Sequence, residues 1–129
     1  MAKETQFCIC LGNKPGALAK LCGALKRARV NIEAISVADS ADCCLVRMVA
    51  SPTTRAKTAL TRGKYSFCTQ QVLAVKAVNK PGELARIARK LARAGVNINY
   101  VYASTGDGKS CLLVLSVSNL ARATKVVGK

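Results

Sequence analysis

The sequence contains no histidine and no tryptophan, and it has only six acidic residues against 21 lysines and arginines. Histidine is the commonest general base in enzymes, so its absence removes the usual centre of acid–base catalysis. The sequence also has no paired carboxylates, no glycine-rich phosphate loop and no serine or cysteine nucleophile motif. We therefore expect no enzymatic activity. We also expect no cofactor and no zinc site, because the seven cysteines include no Cys-x-x-Cys pair.

A long apolar segment is missing as well. No stretch approaches the length of a membrane span, and no apolar run follows the N-terminal Met1-Ala2-Lys3-Glu4. The cysteine count is odd, and nearly all of the cysteines lie within short apolar runs, where a free thiol behaves as a small hydrophobic group. These features predict a reduced, cytoplasmic setting and no membrane partner.

One four-residue stretch occurs twice in the chain. Residues Asn13–Gly16 are Asn-Lys-Pro-Gly, and the same four residues recur at Asn79–Gly82. The likeness continues through a segment rich in leucine and alanine to Val30–Ile32, which matches Val96–Ile98. Because the matching positions keep one offset throughout, the chain contains two copies of one supersecondary unit.

The repeat predicts two domains, at residues 1–70 and 71–129, in which strand-like apolar runs alternate with helical periodicity. The first domain has the order strand, helix, strand, strand, helix, strand, which is typical of a ferredoxin-like α+β sandwich. The second domain repeats this order but ends after its second helix, without residues for a last strand. Because that strand would pair beside the first one, we expect strand Val72–Val78 to have a free edge, filled by a partner chain or left open.

Each Asn-Lys-Pro-Gly stretch follows an apolar strand and precedes an amphipathic helix. We expect Pro15 and Pro81 in the first helical turn, where the missing N–H costs no hydrogen bond. Gly16 and Gly82 would let a ligand approach the backbone closely, since no Cβ stands in the way. The unpaired N–H groups and the positive end of the helix dipole favour a carboxylate at this point.

Asn31 and Asn97 begin the strand after each helix, and their side-chain carbonyls can accept a hydrogen bond from an ammonium group. The alternative is a plain turn in which Asn13 or Asn79 caps the helix and no ligand binds.

The pattern Asn-Lys-Pro-Gly-x-Leu-Ala, followed by a helix and Val-Asn-Ile, resembles the signature of the ACT domain, a small regulatory module with a βαββαβ fold. The resemblance covers nearly the whole chain in two copies, similar to tandem ACT proteins, and fails at the missing last strand. It implies a regulatory protein that binds amino acids between ACT units, near the turn and the strand after the helix. The implied ligand-binding residues are Asn13, Pro15, Gly16, Ala17, Leu18, Asn31, Ile32, Asn79, Pro81, Gly82, Glu83, Leu84, Asn97 and Ile98.

The two implied sites differ at one position, because Glu83 stands where the first copy has a neutral residue. Its carboxylate would repel the carboxylate of an acidic ligand, so we do not expect the two sites to be equivalent. We expect a homodimer in which a bound amino acid shifts the equilibrium between assemblies. A regulated enzyme or a transcription partner would then receive the signal.

The excess of basic residues, with a formal net charge of +15, keeps RNA or another polyanion as the alternative partner. RNA-recognition motifs share the ferredoxin-like topology, but they stack bases on aromatic residues of the sheet. This chain has two phenylalanines and three tyrosines, of which Tyr100 and Tyr102 lie two apart on one predicted strand. We favour packing of these two tyrosines in an interface, and solvent-exposed basic helix faces, over RNA recognition.

Overall fold

The computed structural model describes residues 2–40 and 42–127. Its elements in chain order are β1 (Ala2–Gly12), α1 (Ala17–Arg27), β2 (Asn31–Asp39), β3 (Cys43–Ser51), α2 (Thr53–Arg62), β4 (Ser66–Val78), α3 (Glu83–Arg93), β5 (Ile98–Thr105), β6 (Ser110–Val117) and α4 (Leu120–Val127). Hydrogen-bonded strands follow the order β2-β3-β1-β4-β6-β5. Contacts divide the chain into two compact units. Thr5–Gln70 forms the first unit, and Gln71–Lys129 together with the residues up to Glu4 forms the second.

The first unit has the ferredoxin-like strand order β2-β3-β1-β4, with β3 antiparallel to both β1 and β2. Alternate residues of a strand point to the same face, so Phe7 and Ile9 of β1 are both buried opposite Met48 and Val46 of β3. Buried leucines of α1 and a buried alanine and leucine of α2 close this core. Each helix is therefore held by one apolar face, which fixes where its N-terminal end lies.

The second unit contains β4, β6 and β5 as an antiparallel series covered by α3 and α4. Its core is built from fully buried residues of both layers, which include Leu73, Ile87, Leu91, Leu115 and Ala123. Within the described residues no strand follows α4. The predicted fold class is thus confirmed: the chain forms two tandem ferredoxin-like α+β units. No helix in the described part of the chain is both long enough and apolar enough to span a membrane.

The predicted free edge beside Val72–Val78 is wrong. Instead of two separate strands, residues Ser66–Val78 form the single strand β4, and its hydrogen-bonded neighbours are β1 and β6. The residues of β1 up to Glu4, which the repeat assigns to the first domain, group with the second unit. The neighbouring strand therefore comes from the same chain. The physical reason is that Thr69-Gln70-Gln71 contains no glycine or proline that would end an extended segment.

Candidate functional site

A tight turn joins β1 to α1 at the first corner, which we define as Gly12–Lys20. The Lys14 carbonyl accepts a hydrogen bond from the Ala17 N–H at 3.3 Å, and Gly16 has φ 86° and ψ −10°. These values describe a type II turn, which favours proline at its second position and requires positive φ at its third. Pro15 and Gly16 occupy these two positions, so the turn geometry accounts for the Pro-Gly pair.

The second corner, Val78–Arg86, repeats this turn between β4 and α3. The Glu83 N–H lies 3.4 Å from the Lys80 carbonyl, and Gly82 has φ 88° and ψ −7°. The two corners therefore have the same backbone, and any difference between them must come from side chains.

Both prolines lie outside their helices. α1 begins two residues after Pro15 and α3 two residues after Pro81, so the prediction that the prolines occupy the first helical turn is wrong. The fixed φ of proline serves the second position of the turn instead. A Cβ added at Gly16 or Gly82 would meet no atom within 4 Å. Positive φ thus explains the glycines, and the space beside the backbone is open.

The helices that follow the corners begin without a side-chain cap. The N–H groups of Leu18 and Ala19 in the first corner, and of Leu84 and Ala85 in the second, have no hydrogen-bond acceptor among the described residues. Such groups carry the partial positive charge of a helix N-terminus. Each corner therefore presents donors to a group outside its helix.

The asparagine of each motif contacts a hairpin rather than the helix. The Cys44 thiol donates to Asn13 Oδ1 at 3.4 Å, at the start of β3. The Asn79 side chain donates to the Gly108 carbonyl at 3.1 Å, and its backbone N–H donates to the Lys109 carbonyl at 2.9 Å. The alternative in which these asparagines cap the helices is therefore wrong. Their contacts tie each corner to the loop or strand beside it.

The first corner opens into a cavity of about 510 Å³. Pro15, Gly16 and Ala17 of the predicted site line it, whereas Asn13 and Leu18 do not. The other lining residues are Cys10, Leu11, Gly12, Lys14, Lys20, Lys64, Tyr65 and Ser66. Three of them are lysines and none is acidic. The cavity therefore combines a helix N-terminus with three ammonium groups and contains no carboxylate.

A carboxylate is built into the second corner. Glu83 is 8% exposed, and its Oε1 and Oε2 atoms accept from Arg86 Nε at 2.6 Å and from Arg86 Nη2 at 3.1 Å. This paired hydrogen bonding, supported by the backbone N–H of Val78, lowers the pKa of Glu83 below its ordinary value. The repeat aligns Glu83 with Ala17 and Arg86 with Lys20. The two corners thus differ in charge at equivalent positions.

The strand residues of the predicted site lie elsewhere within each unit. Exposed Asn31 and half-buried Ile32 begin β2 at the other end of α1, whose 11 residues span about 16 Å. In the second unit, the Asn97 N–H donates to Ser118 Oγ at 2.9 Å, and Ile98 packs against the core. Asn31 and Ile32 therefore do not line the cavity of the first corner, and the contacts of Asn97 and Ile98 lie away from the second corner.

A family model described as an ACT domain pair matches residues 2–129. The chain belongs to the ACT domain pair family. The resemblance found in the sequence is thereby confirmed. No curated protein matches the chain.

Several solved structures are similar to this ACT pair. Protein BT0572 from Bacteroides thetaiotaomicron shares 27% sequence identity, with 98% of this chain and 87% of that chain covered and a TM-score of 0.90. The ligand-free regulatory subunit of aspartate kinase from Thermus thermophilus has 15% identity, coverage of 98% and 93%, and a TM-score of 0.71. The corresponding subunit from Thermus flavus has 17% identity, coverage of 98% and 94%, and a TM-score of 0.66. The two Thermus structures support the fold.

Eight cavity residues of this ACT pair are not among those predicted from the sequence: Cys10, Leu11, Gly12, Lys14, Lys20, Lys64, Tyr65 and Ser66. The last three follow α2, which is far from the Pro-Gly motif in sequence. The ferredoxin-like order contained a signal for them, because the last strand of a unit pairs beside the first. That pairing brings the beginning of β4 close to the end of β1, where the first corner starts.

Proposed function

We propose that this ACT pair is a regulatory protein that binds the carboxylate of a free amino acid at the first corner. The observation that carries the proposal is the 510 Å³ cavity, which is lined by Lys14, Lys20 and Lys64 and contains no acidic side chain. Its volume falls within the range of about 300–1,000 Å³ that is usual for small-molecule pockets. The unpaired N–H groups of Leu18 and Ala19 add partial positive charge at the start of α1, beside the cavity.

The second corner supports the proposal by analogy. There a carboxylate of the protein itself, that of Glu83, lies at the start of the helix and is held by Arg86. A ligand carboxylate at the first corner would take the equivalent place, with Lys20 in the role of Arg86. We therefore propose that the first corner binds ligand and that the second corner is filled by its own side chain.

The proposal assigns the remaining predicted residues a role only in a homodimer. These residues are Asn31, Ile32, Asn97 and Ile98. β2 is a terminal strand in the hydrogen-bonding order, and Ile35 and Val37 on it are 38% and 45% exposed. An edge strand with exposed apolar residues favours pairing between copies. We propose a homodimer in which ligand binding favours one assembly, and the shift is passed to an enzyme or a transcription partner.

Two further parts of the proposal concern chemistry and location. We propose a binding role without catalysis, since the three lysines, the thiol and Tyr65 of the cavity have neither a histidine nor a carboxylate beside them. All seven cysteines are free, which favours the cytoplasm as the compartment.

A thermal-shift screen of the twenty amino acids tests this function. Ligand at about 100 times its Kd would add about 2.7 kcal/mol to the free energy of unfolding, which is readily detected as a rise in Tm. Lys20→Gln should weaken the response about tenfold, because hydrogen bonds to charged groups contribute about 1.5–3 kcal/mol. Lys109→Gln, which removes one exposed positive charge outside the cavity, is the matched control. Folded protein that responds to none of the twenty would contradict the proposal.

A further inference from the structure

A second cavity of about 650 Å³ lies between α1 and α2 of the first unit, and we call it the helix groove. Its lining residues are Ala24, Arg27, Ala28, Thr54, Arg55, Thr58, Ala59, Arg62 and Gly63. No residue lines both the helix groove and the corner cavity. Three of the lining residues are arginines, and the others are small or hydroxyl-bearing. The groove is therefore strongly basic, and no large apolar side chain lines it.

The arginines of the helix groove have two different roles. Arg55 Nη2 donates to the Arg29 carbonyl at 3.1 Å, just after the end of α1, so this guanidinium is fixed in place. Arg27 and Arg62 are exposed and have no acidic partner among the described residues. Neither α1 nor α2 contains an aspartate or glutamate. Two guanidinium groups are thus free to contact an anion.

The second unit has a basic groove of its own between α3 and α4, of about 400 Å³. Its lining residues are Lys90, Arg93, Ala94, Lys125 and Val126. Arg93 matches Arg27 in the repeat, and Arg122 Nε donates to the Ala94 carbonyl at 2.6 Å as Arg55 does to Arg29. A similar arrangement therefore occurs in both copies, although the acceptor carbonyl in the second copy lies one position earlier in the repeat.

We propose that the helix groove binds the phosphodiester backbone of nucleic acid. Arginine presents a planar fork of donors that matches phosphate oxygens, and it is preferred wherever phosphate is recognised. The formal net charge of +15 would steer a polyanion towards the protein. A membrane surface is a poorer match, because the large exposed apolar residues of the described chain lie outside the groove.

The mode of binding differs from that of RNA-recognition motifs. Those motifs need aromatic residues on the sheet to stack bases, and no aromatic residue lines the helix groove. Contacts restricted to phosphates carry no sequence information. The groove therefore binds nucleic acid of any sequence, with an affinity that depends steeply on salt.

The test uses the full chain and a fluorescent 24-base-pair duplex DNA of random sequence, titrated between 50 and 200 mM salt. The groove variant carries Arg27→Gln and Arg62→Gln, and the control carries Lys76→Gln and Lys109→Gln. Both variants remove two exposed positive charges, so their net charge is equal. Each arginine that pairs with a phosphate contributes about 1 to the slope of log K against log salt, so the slope of the groove variant should be shallower by about 2. The control should keep the slope of the wild type.

In the salt titration, three outcomes would overturn the proposal: no binding by the wild-type protein, an equal weakening in both variants, or an unchanged slope in the groove variant. Competition experiments with other anions show which kind of anion the groove binds. Poly-glutamate that displaces the duplex as well as unlabelled DNA does, at equal charge concentration, would show attraction to any polyanion and contradict a phosphate site. Inorganic phosphate that saturates the groove at millimolar concentration would indicate a small phosphate ligand and overturn the nucleic-acid proposal. Circular dichroism checks that both variants are folded.

Discussion

The two corners have the same turn but different charged side chains. Gly16 and Gly82 differ by only 2° in φ and 3° in ψ, since their angles are 86° and −10° against 88° and −7°. Yet the first corner has Ala17 and Lys20 where the second has Glu83 and Arg86. A duplicated backbone therefore does not imply a duplicated site. Whether a helix start is available to a ligand depends on whether the chain already supplies an anion there.

The largest effect should come from exchanging the side chains of the corners. Ala17→Glu with Lys20→Arg would give the first corner its own carboxylate, so we expect the amino-acid response to disappear from the thermal-shift assay. The double variant should be at least as stable as the wild type, because an acidic residue in the first helical turn is favourable. The control is Lys20→Arg alone, which keeps the positive charge.

The reciprocal change is Glu83→Ala. It would remove the carboxylate from the second corner, and we expect a second, weaker ligand response to appear.

The outcome that would contradict the first of these two predictions is also clear. If Ala17→Glu with Lys20→Arg left the response intact, the ligand would bind somewhere other than the first corner.

The turn itself should be equally important in both units. Gly16→Val and Gly82→Val each force a β-branched residue to positive φ, so we expect each to lower the free energy of unfolding by about 1–3 kcal/mol. Gly16→Asn and Gly82→Asn are the matched controls, because asparagine tolerates this region far better. Urea denaturation measures the change. If only one of the two valine substitutions lowered the free energy of unfolding, the turns would not be equivalent in solution.

The C-terminal ends of α1 and α3 differ less than the corners at their N-terminal ends. Both helices end in a Schellman motif, in which Val30 and Val96 donate to the carbonyls of Leu25 and Leu91, each at 2.9 Å. The residue before the valine has positive φ in both: Arg29 at 58° and Gly95 at 74°. The first unit therefore has a strained side chain at a position where the second has glycine.

The two reciprocal substitutions at these positions should change the free energy of unfolding in opposite directions. Arg29→Gly should raise the free energy of unfolding by about 1 kcal/mol, and Gly95→Arg should lower it by about the same amount. Arg55 would keep its acceptor, because it bonds the backbone carbonyl of residue 29 and not the side chain. Arg29→Ala serves as the control, since alanine removes the charge and retains the strain. Equal stabilisation by glycine and alanine, measured by urea denaturation, would assign the effect to charge.

The order of the elements could be predicted from the sequence, because apolar periodicity and the repeat are local signals. The single strand Ser66–Val78 could not, because the polar residues between its two apolar runs look like a connection when each run is considered alone. The turn type is also ambiguous in the sequence alone. Pro-Gly is compatible with a helix start and with a type II turn, and only the hydrogen bond from Ala17 to Lys14 decides between them.

The candidate site was predictable only in part. Pro15, Gly16 and Ala17 belong to the motif and line the cavity, but Lys64 and Tyr65 reach it through the pairing of distant strands. The sequence predicts that Glu83 repels an acidic ligand, whereas in the structure its carboxylate is held by Arg86. Spacing shows that residues three apart on a helix can meet, but it does not show which partner a side chain selects.

The smallest expected effect is a pH dependence of the free energy of unfolding, caused by Glu83 at the second corner. Because the pKa of Glu83 is lowered in the folded protein, Glu83 binds fewer protons when folded than when unfolded. Its contribution to stability is therefore fully present above the ordinary pKa of an unfolded glutamate and is lost as the pH falls through the lowered folded value. We expect urea denaturation to show wild type more stable than Glu83→Gln at pH 6, with the difference vanishing at low pH.

The same comparison separates Glu83 from the other carboxylate with a lowered pKa. Asp107 accepts from the backbone N–H groups of Ser110 and Lys109, at 3.0 and 2.9 Å, and these bonds lower its pKa too. Asp107 is present in both proteins, so its titration cancels in the difference between wild type and Glu83→Gln. At the first corner, Ala17→Gln should produce no such pH-dependent difference, because Ala17 does not titrate. A difference between wild type and Glu83→Gln that stayed constant from about pH 6 to about pH 3 would mean that packing, and not the pair with Arg86, holds Glu83 in place.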